Sequence, residues 1–215
     1  MFVAAHPSEA AVVEKALTAA EARCEILTSG VGGPAMSWAL QKRFTEKGIP
    51  GTIINVGIAG SYDKKIKIGE VVMPLSDCFA DLGVDDNGSF VSLFKANLAD
   101  PDKWPFSGGI IQYSSDWTKL LGHTYRTVRA ATVNMTSGSA AVIERISREW
   151  NPDIETMEGA WFAYSCAVNR LQFFSLRAVS NRVEPRNVRN WDIPLALENL
   201  ENALVQTLTV IKRSI

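Results

Sequence analysis

Apolar residues recur along this chain in two alternating patterns. Short, mainly apolar or β-branched runs occupy residues 2–5, 24–28, 52–57, 128–133, 154–158 and 173–180, rich in Val, Ile, Ala and Phe. Runs of this length that lack polar alternation predict strands buried on both faces. Helical spacing fills the intervals over residues 9–22, 36–47, 140–150, 159–169 and 192–213. Ser8 stands where a hydroxyl can accept from the first-turn amides of the first helix. Gly48 and Pro50 stop the second. Strand-helix-strand-helix-strand over residues 2–57 predicts a parallel sheet covered by helices on both faces.

The middle of the chain is different. Residues 70–84 are strand-like, Asp85-Asp86-Asn87-Gly88 is a hairpin signal, and residues 95–109, with two prolines, predict a surface loop. No repeat, low-complexity tract or linker interrupts the sequence, so residues 1–215 are expected to form one α/β domain.

Composition narrows the function. A hydrophobic content of 47%, a charged content of 21% and a net charge of -1 fit an ordinary globular protein. They offer no basic surface for nucleic acid and no polybasic stretch for a membrane. The opening Met1-Phe2-Val3-Ala4-Ala5-His6-Pro7 lacks a basic leader region, and no window holds the about 20 apolar residues a bilayer requires. Cys24, Cys78 and Cys166 are odd in number and widely spaced, which predicts reduced thiols and a cytoplasmic setting.

In open α/β sheets ligands gather beyond the carboxyl ends of strands. Four such exits carry suggestive residues: Glu9, Gly30 to Gly33, Ala59-Gly60 and Asn181. The glycine run taken alone is a tight turn; it does not complete G-x-G-x-x-G, and no phosphate-binding G-x-x-x-x-G-K-[ST] occurs. His6 and His123 lack partners at metal-ligand spacing, and His6 beside Pro7 is expected to be a structural loop residue. Cys166 and the tryptophans 104, 117, 150, 161 and 191 are expected to serve packing or interfaces. Carboxylates are left as the leading candidates for chemistry.

Read in order, Glu9, Ser29-Gly30-Val31-Gly32, Asn55-Val56-Gly57-Ile58-Ala59-Gly60, Gly69-Glu70-Val71-Val72, Glu155-Thr156-Met157-Glu158-Gly159-Ala160 and Arg177-Ala178-Val179-Ser180-Asn181 resemble the nucleoside phosphorylase and nucleosidase family. The Met-Glu-Gly-Ala segment is the specific part. The resemblance implies a three-layer αβα fold around a central mixed, mostly parallel sheet, with no metal and no cofactor. The substrate it implies is a small purine nucleoside, handled by a homo-oligomer. It puts Met157 against the ribose, Glu158 on the 2'- and 3'-hydroxyls, and Ala59, Gly60 and Ser139 beside the substrate. Glu9 would then be the base acting on water, with a solvated first-turn glutamate as the competing reading.

Within the family, Ser180-Asn181 followed by Val183-Glu184-Pro185-Arg186-Asn187 and Trp191-Asp192-Ile193-Pro194 is most similar to the futalosine hydrolases, which release hypoxanthine. Nucleosidases acting on methylthioadenosine have a further Glu where Thr156 stands and an Asp where Asn181 stands. An Asn suits a 6-oxopurine, because its NH2 donates to O6 while its carbonyl accepts from N7–H of the departing base. The loop His6-Pro7-Ser8-Glu9 lacks the arginine that phosphorylases use to hold phosphate, which favours water as nucleophile. Futalosine also carries a benzoate. Arg182, Arg186 or Arg189 could pair with it, or could form a solvated basic loop. An adenine-specific nucleosidase, a phosphorylase and a non-catalytic nucleoside-binding protein are the alternatives.

Overall fold

The computed structural model describes residues 1–214. Strand β1 (Phe2–Ala4) leads into helix α1 (Pro7–Ala19), β2 (Ile26–Thr28), α2 (Gly33–Lys47) and the long β3 (Thr52–Ser61). Next come β4 (Val71–Asp77), the hairpin β5 (Gly83–Asp86) and β6 (Ser89–Ser92), then β7 (Phe106–Ser107) and β8 (Ile110–Gln112). The chain continues through α3 (Asp116–Leu121), β9 (Arg126–Thr132), α4 (Ala140–Trp150), β10 (Ile154–Thr156), α5 (Gly159–Val168), β11 (Gln172–Arg182) and α6 (Ile193–Ser214). None of the helices is long and apolar enough to cross a membrane among the described residues.

Side chains alternate across each strand, and that alternation builds the layers. Phe2, Ala4, Ile54, Val56, Phe174 and Leu176 pack with α1 and α6, whereas Val3, Ile53 and Phe173 pack with α2 and α5. The expected helix-sheet-helix arrangement follows. Its sheet is nine-stranded and mixed, with parallel pairings of β1 to β2 and β3, of β3 to β11, and of β9 to β4 and β10.

The sheet also closes on itself. β3 pairs with β11 along most of its length and with β10 at its end, while β11 pairs with β4, β4 with β9, and β9 with β10. All five strands of this ring contribute to one apolar cluster: Ala59, Val72, Val128, Ala130, Ile154 and Val179. Continuing along the same inward faces, Asn55, Thr132, Thr156, Ser175 and Arg177 form a buried polar layer near the start of α5. This closed ring is not what an open parallel sheet predicts. It arises because β10 and β4 run antiparallel to β3 and β11 respectively.

Three local departures have simple causes. Helix α1 is capped by His6, not Ser8, because Pro7 already holds a helical φ at the first position and forces the residue before it to be extended (φ -119, ψ 147). The His6 ring accepts from Ser8 N, and Glu9 returns a bond to the His6 amide, completing a capping box. The missed α3 spans only 6 residues and is nucleated by Ser115 and Thr118, too short for a periodic signal. The 95–109 loop contains the unforeseen β7, paired with β8. The hairpin signal holds: Asn87 (φ 52) and Gly88 (φ 85) form the two-residue turn.

Candidate active site

The strand exits converge on a cavity of about 410 Å³. Ala5, His6, Ser8 and Glu9 line it from the β1–α1 junction, Val31 from the glycine turn, and Ile58, Ala59 and Gly60 from β3. Thr136 and Ser137 enter from the β9–α4 loop, Glu155 to Glu158 from the β10–α5 junction, and Ser180 to Glu184, Arg186 and Trp191 from the end of β11. Ile193 and Leu197 of α6 complete the wall.

Glu9 is 7% exposed and fixed by three backbone donors. Its Oε2 accepts from Ala5 N and His6 N, both at 3.0 Å, and its Oε1 from Ile58 N at 3.0 Å. A carboxylate has about four acceptor directions, so one is left for a further donor. The capping role and the cavity role therefore coexist in one side chain.

Beneath Glu9 lies Arg177, fully buried in the polar layer, with its guanidinium bonded to the Asn55 side chain. A Cβ on Gly57 would stand 2.5 Å from Arg177 Nη1 and 2.6 Å from Glu9 Oε1, so only glycine lets the two groups share that space. The motif around Arg177 gives it no separate role. Its signal was an arginine inside an apolar strand, a residue type rarely buried without a partner.

Glu158 occupies the N-cap position of α5 but makes no capping bond to that helix. Its Oε1 instead accepts from Gly32 N at 2.7 Å, across 126 residues of sequence. Gly32 has φ +89, so the glycine run is a turn that aims an amide at this carboxylate. Burial raises the Glu158 pKa; the Gly32 amide and Arg177 oppose this, and Glu9 adds to it. Met157, half-buried, lies next to it in the wall.

Asn181 reaches the cavity through a β-bulge. β11 pairs Val179 with Ala59 and then Asn181 with Gly60, leaving Ser180 as the extra residue. Bulges re-aim the side chains beside them. A Cβ on Gly60 would lie 3.2 Å from Asn181 Nδ2, so this position too keeps space for its neighbour. The Asn181 amide accepts from Ser180 Oγ at 2.8 Å and donates to Arg182 O at 2.9 Å.

Seven of the eight residues singled out from the sequence line this cavity: Glu9, Asn181, Met157, Glu158, Ala59, Gly60 and Arg186. Ser139 does not. It starts α4 as an exposed N-cap residue, and Ser137, two positions earlier, takes the place in the wall. Among the arginines, Arg182 spends its guanidinium on the carbonyls of Asp63 (2.7 Å) and Lys64 (3.2 Å). Arg186 lies 5.7 Å over the Trp191 ring, and Arg189 is outside the lining. Trp191 is thus a cavity residue instead of a packing anchor, while Cys166 is fully buried in the α2–α5 core as expected.

A second carboxylate cluster lies in and behind the wall. Glu155 accepts from Ser137 N at 2.9 Å, from Tyr62 Oη at 2.7 Å and from Ser137 Oγ. Deeper, Asp77 accepts from Thr132 Oγ1 and Cys78 N, both at 2.9 Å, and burial pushes its pKa up to about 7. Among the described residues no three His, Cys, Asp or Glu side chains gather as a metal site.

Comparison with known proteins gives a consistent set of likenesses. A family model described as the phosphorylase superfamily matches residues 14–215. Futalosine hydrolase of Acidothermus cellulolyticus is 31% identical over 92% of this chain and 78% of its own length. Futalosine hydrolase of Thermus thermophilus is 25% identical over 85% of this chain and 80% of its own. Among solved structures, the 5'-methylthioadenosine/S-adenosylhomocysteine nucleosidase of S. pneumoniae superposes with a TM-score of 0.81 at 18% identity, covering 98% of both chains. Futalosine hydrolase of Helicobacter pylori superposes at 0.70 with 15% identity, covering 98% of this chain and 94% of that one. At such identities the superpositions speak for the fold.

Proposed function

This chain belongs to the phosphorylase superfamily, and from that premise we propose that it is a futalosine hydrolase, cleaving the N-glycosidic bond with water to release hypoxanthine and dehypoxanthine futalosine. The reaction would serve an alternative route to menaquinone. The observation that carries this reading is that Asn181, Glu9 and Glu158 open onto one cavity, with an amide and not a carboxylate at the β11 exit.

In this mechanism Glu158 keeps Oε1 on Gly32 N and offers Oε2 to the ribose 2'- and 3'-hydroxyls, while Met157 packs against the sugar. Glu9, with one acceptor direction left by its three amides, orients the attacking water and takes its proton as C1' develops positive charge. Arg177 is a positioning residue that sets Glu9 from below through the space Gly57 leaves. Two carboxylates on one wall also favour the cationic sugar electrostatically. Asn181 donates to O6 and accepts from N7–H as the base departs, with the N7 proton supplied by solvent.

Water is favoured over phosphate because the β1–α1 loop offers His6, Pro7 and Ser8 and no arginine, and because Arg182 is committed to backbone carbonyls. Arg186, exposed on Trp191 at the cavity edge, pairs with the substrate benzoate. We read residues 1–215 as one domain of a cytoplasmic homo-oligomer. Three free cysteines support the compartment, and exposed Trp38 (69%) and Trp104 (68%) support association. The deciding experiment is chromatography of the bases released from futalosine, inosine, methylthioadenosine and aminodeoxyfutalosine, with and without phosphate. Hypoxanthine from futalosine at a phosphate-independent rate is expected; adenine release alone, or a phosphate requirement, removes the reading.

A further inference from the structure

We infer that Thr132, held by Asp77, caps α5 in place of Glu158, and that these two are positioning residues which leave the Glu158 carboxylate free for the ribose. The inference rests on the reading of Glu158 as the sugar-binding residue and explains how a side chain at a helix entrance comes to be available.

A polar side chain at an N-cap ordinarily turns back onto the amides two or three positions into its own helix. In α5 the first of these is already taken: Ala160 N donates to Thr132 Oγ1 of β9 at 2.7 Å. Gly159 N donates to Thr156 Oγ1, at the end of β10, at 3.2 Å. Two strands thus supply the cap, and the Glu158 carboxylate goes instead to Gly32 N at 2.7 Å.

Counting hydrogens gives this network one direction. Thr132 Oγ1 donates its only hydrogen to Asp77 Oδ1 at 2.9 Å. Its oxygen is then the acceptor for Ala160 N and, at 3.2 Å, for the Thr156 hydroxyl. Every donor runs from the positive end of α5 towards Asp77. Asp77 Oδ1 is itself fixed by Cys78 N at 2.9 Å. Both bonds reach Oδ1, so they persist whether or not Oδ2 carries a proton. Asp77 and Thr132 are each 1% exposed, which leaves no room for water to replace either partner.

Gly159 is an independent sign of the same device. A Cβ there would stand against Asp77 Oδ2 and 2.8 Å from Thr156 Oγ1, with Thr132 Oγ1 at 3.3 Å. Gly159 is not among the positive-φ glycines, so its backbone does not demand glycine; the space taken by the network does. Removing the Thr132 oxygen would orphan a buried amide, which is costly. Glu158, at the N-cap, is the carboxylate placed to answer it, at the expense of Gly32 N and the sugar.

Crystal structures and steady-state kinetics of wild type, Thr132→Val, Thr132→Ser and Gly159→Ala test this, with futalosine and 2'-deoxyfutalosine as substrates. Val keeps the shape of Thr and removes the oxygen. In Thr132→Val the Glu158 carboxylate is expected on Ala160 N, with its bond to Gly32 N broken. Wild type should prefer the riboside by about 10-fold or more in kcat/KM, and Thr132→Val should bring the two substrates within a few-fold. Thr132→Ser returns the oxygen and should restore the preference. Gly159→Ala crowds the same network from the helix side and should weaken it. Glu158 still on Gly32 N in Thr132→Val overturns the inference, as does a full riboside preference in either Thr132→Val or Gly159→Ala. Proportionate loss on both substrates, the mark of a purely structural role, overturns it as well. A Glu158 that turns to Ala160 N in Thr132→Val, in a chain whose wild type leaves futalosine intact, keeps the capping exchange and removes the proposed substrate.

Discussion

At the scale of single residues, Glu158 is under two demands. In the proposed mechanism it must be ionised to accept from two hydroxyls, yet burial favours its protonated form. Its pKa lies above the ordinary glutamate range, so the acid limb of kcat/KM is expected at correspondingly higher pH, with activity lost as pH falls through it. Glu158→Gln should lower kcat/KM by about 100-fold and flatten that limb, as read from pH–rate profiles. Unchanged rates would remove the ribose role. Asn181→Asp should shift the ratio of 6-oxo to 6-amino substrate turnover by about 10- to 100-fold towards the amino substrate, measured as competing kcat/KM values. Both were legible as cavity residues because each stands in a short recognisable motif at a strand exit. Arg177 and Glu155 were written in the same motifs, but their surroundings come from strands distant in sequence. Nothing near Arg177 in the chain announces Glu9. Ser139 failed for the same reason: a loop's neighbours do not fix which of its serines turns inward.

Among elements, β3 and β11 do most to build the site, because their parallel pairing sets Gly57 beside Arg177 and Gly60 beside Asn181. Gly57→Ala should destabilise the protein by about 1–3 kcal/mol through overpacking, and should depress turnover by displacing Arg177 and Glu9. Gly51→Ala is the control, since its Cβ would meet nothing within 4 Å. Denaturant midpoints and kcat for the two variants check this; equal behaviour would contradict the shared-space argument. The long strands and helices were visible in periodicity, with ends displaced by a few residues. The Ser180 bulge was not visible, because it is a property of the pairing with β3 and not of β11 alone. The exchange of Ser8 for His6 as the cap of α1 was a matter of proline, whose effect on the preceding residue outweighed hydroxyl preference.

For the whole molecule, ring closure places a polar layer in the interior, and its acid group makes stability depend on pH. Burial raises the Asp77 pKa from an ordinary 3.8 to about 7, so between those values the folded state binds more protons than the unfolded chain. Stability from this group is fully present below the lower value and falls as pH rises through the higher one. Glu25 acts oppositely in a lower window: the Arg43 hydrogen bond holds it at about 2, and its contribution is lost as pH falls towards that value. Asp77→Asn is therefore expected to gain stability relative to wild type as pH rises from 4.5 to 7, followed by urea unfolding at each pH. A pH-independent difference would exclude titration of Asp77. Family resemblance conveyed the three layers, whereas ring closure depended on antiparallel pairings that no single segment encodes. The central claim is that this cavity delivers water to C1' of a 6-oxopurine riboside. It is tested most directly by turnover of futalosine in ¹⁸O-labelled water containing phosphate, with mass analysis of the sugar product. The account predicts one ¹⁸O at the anomeric hydroxyl and free hypoxanthine; a sugar 1-phosphate, or unlabelled sugar, would contradict it.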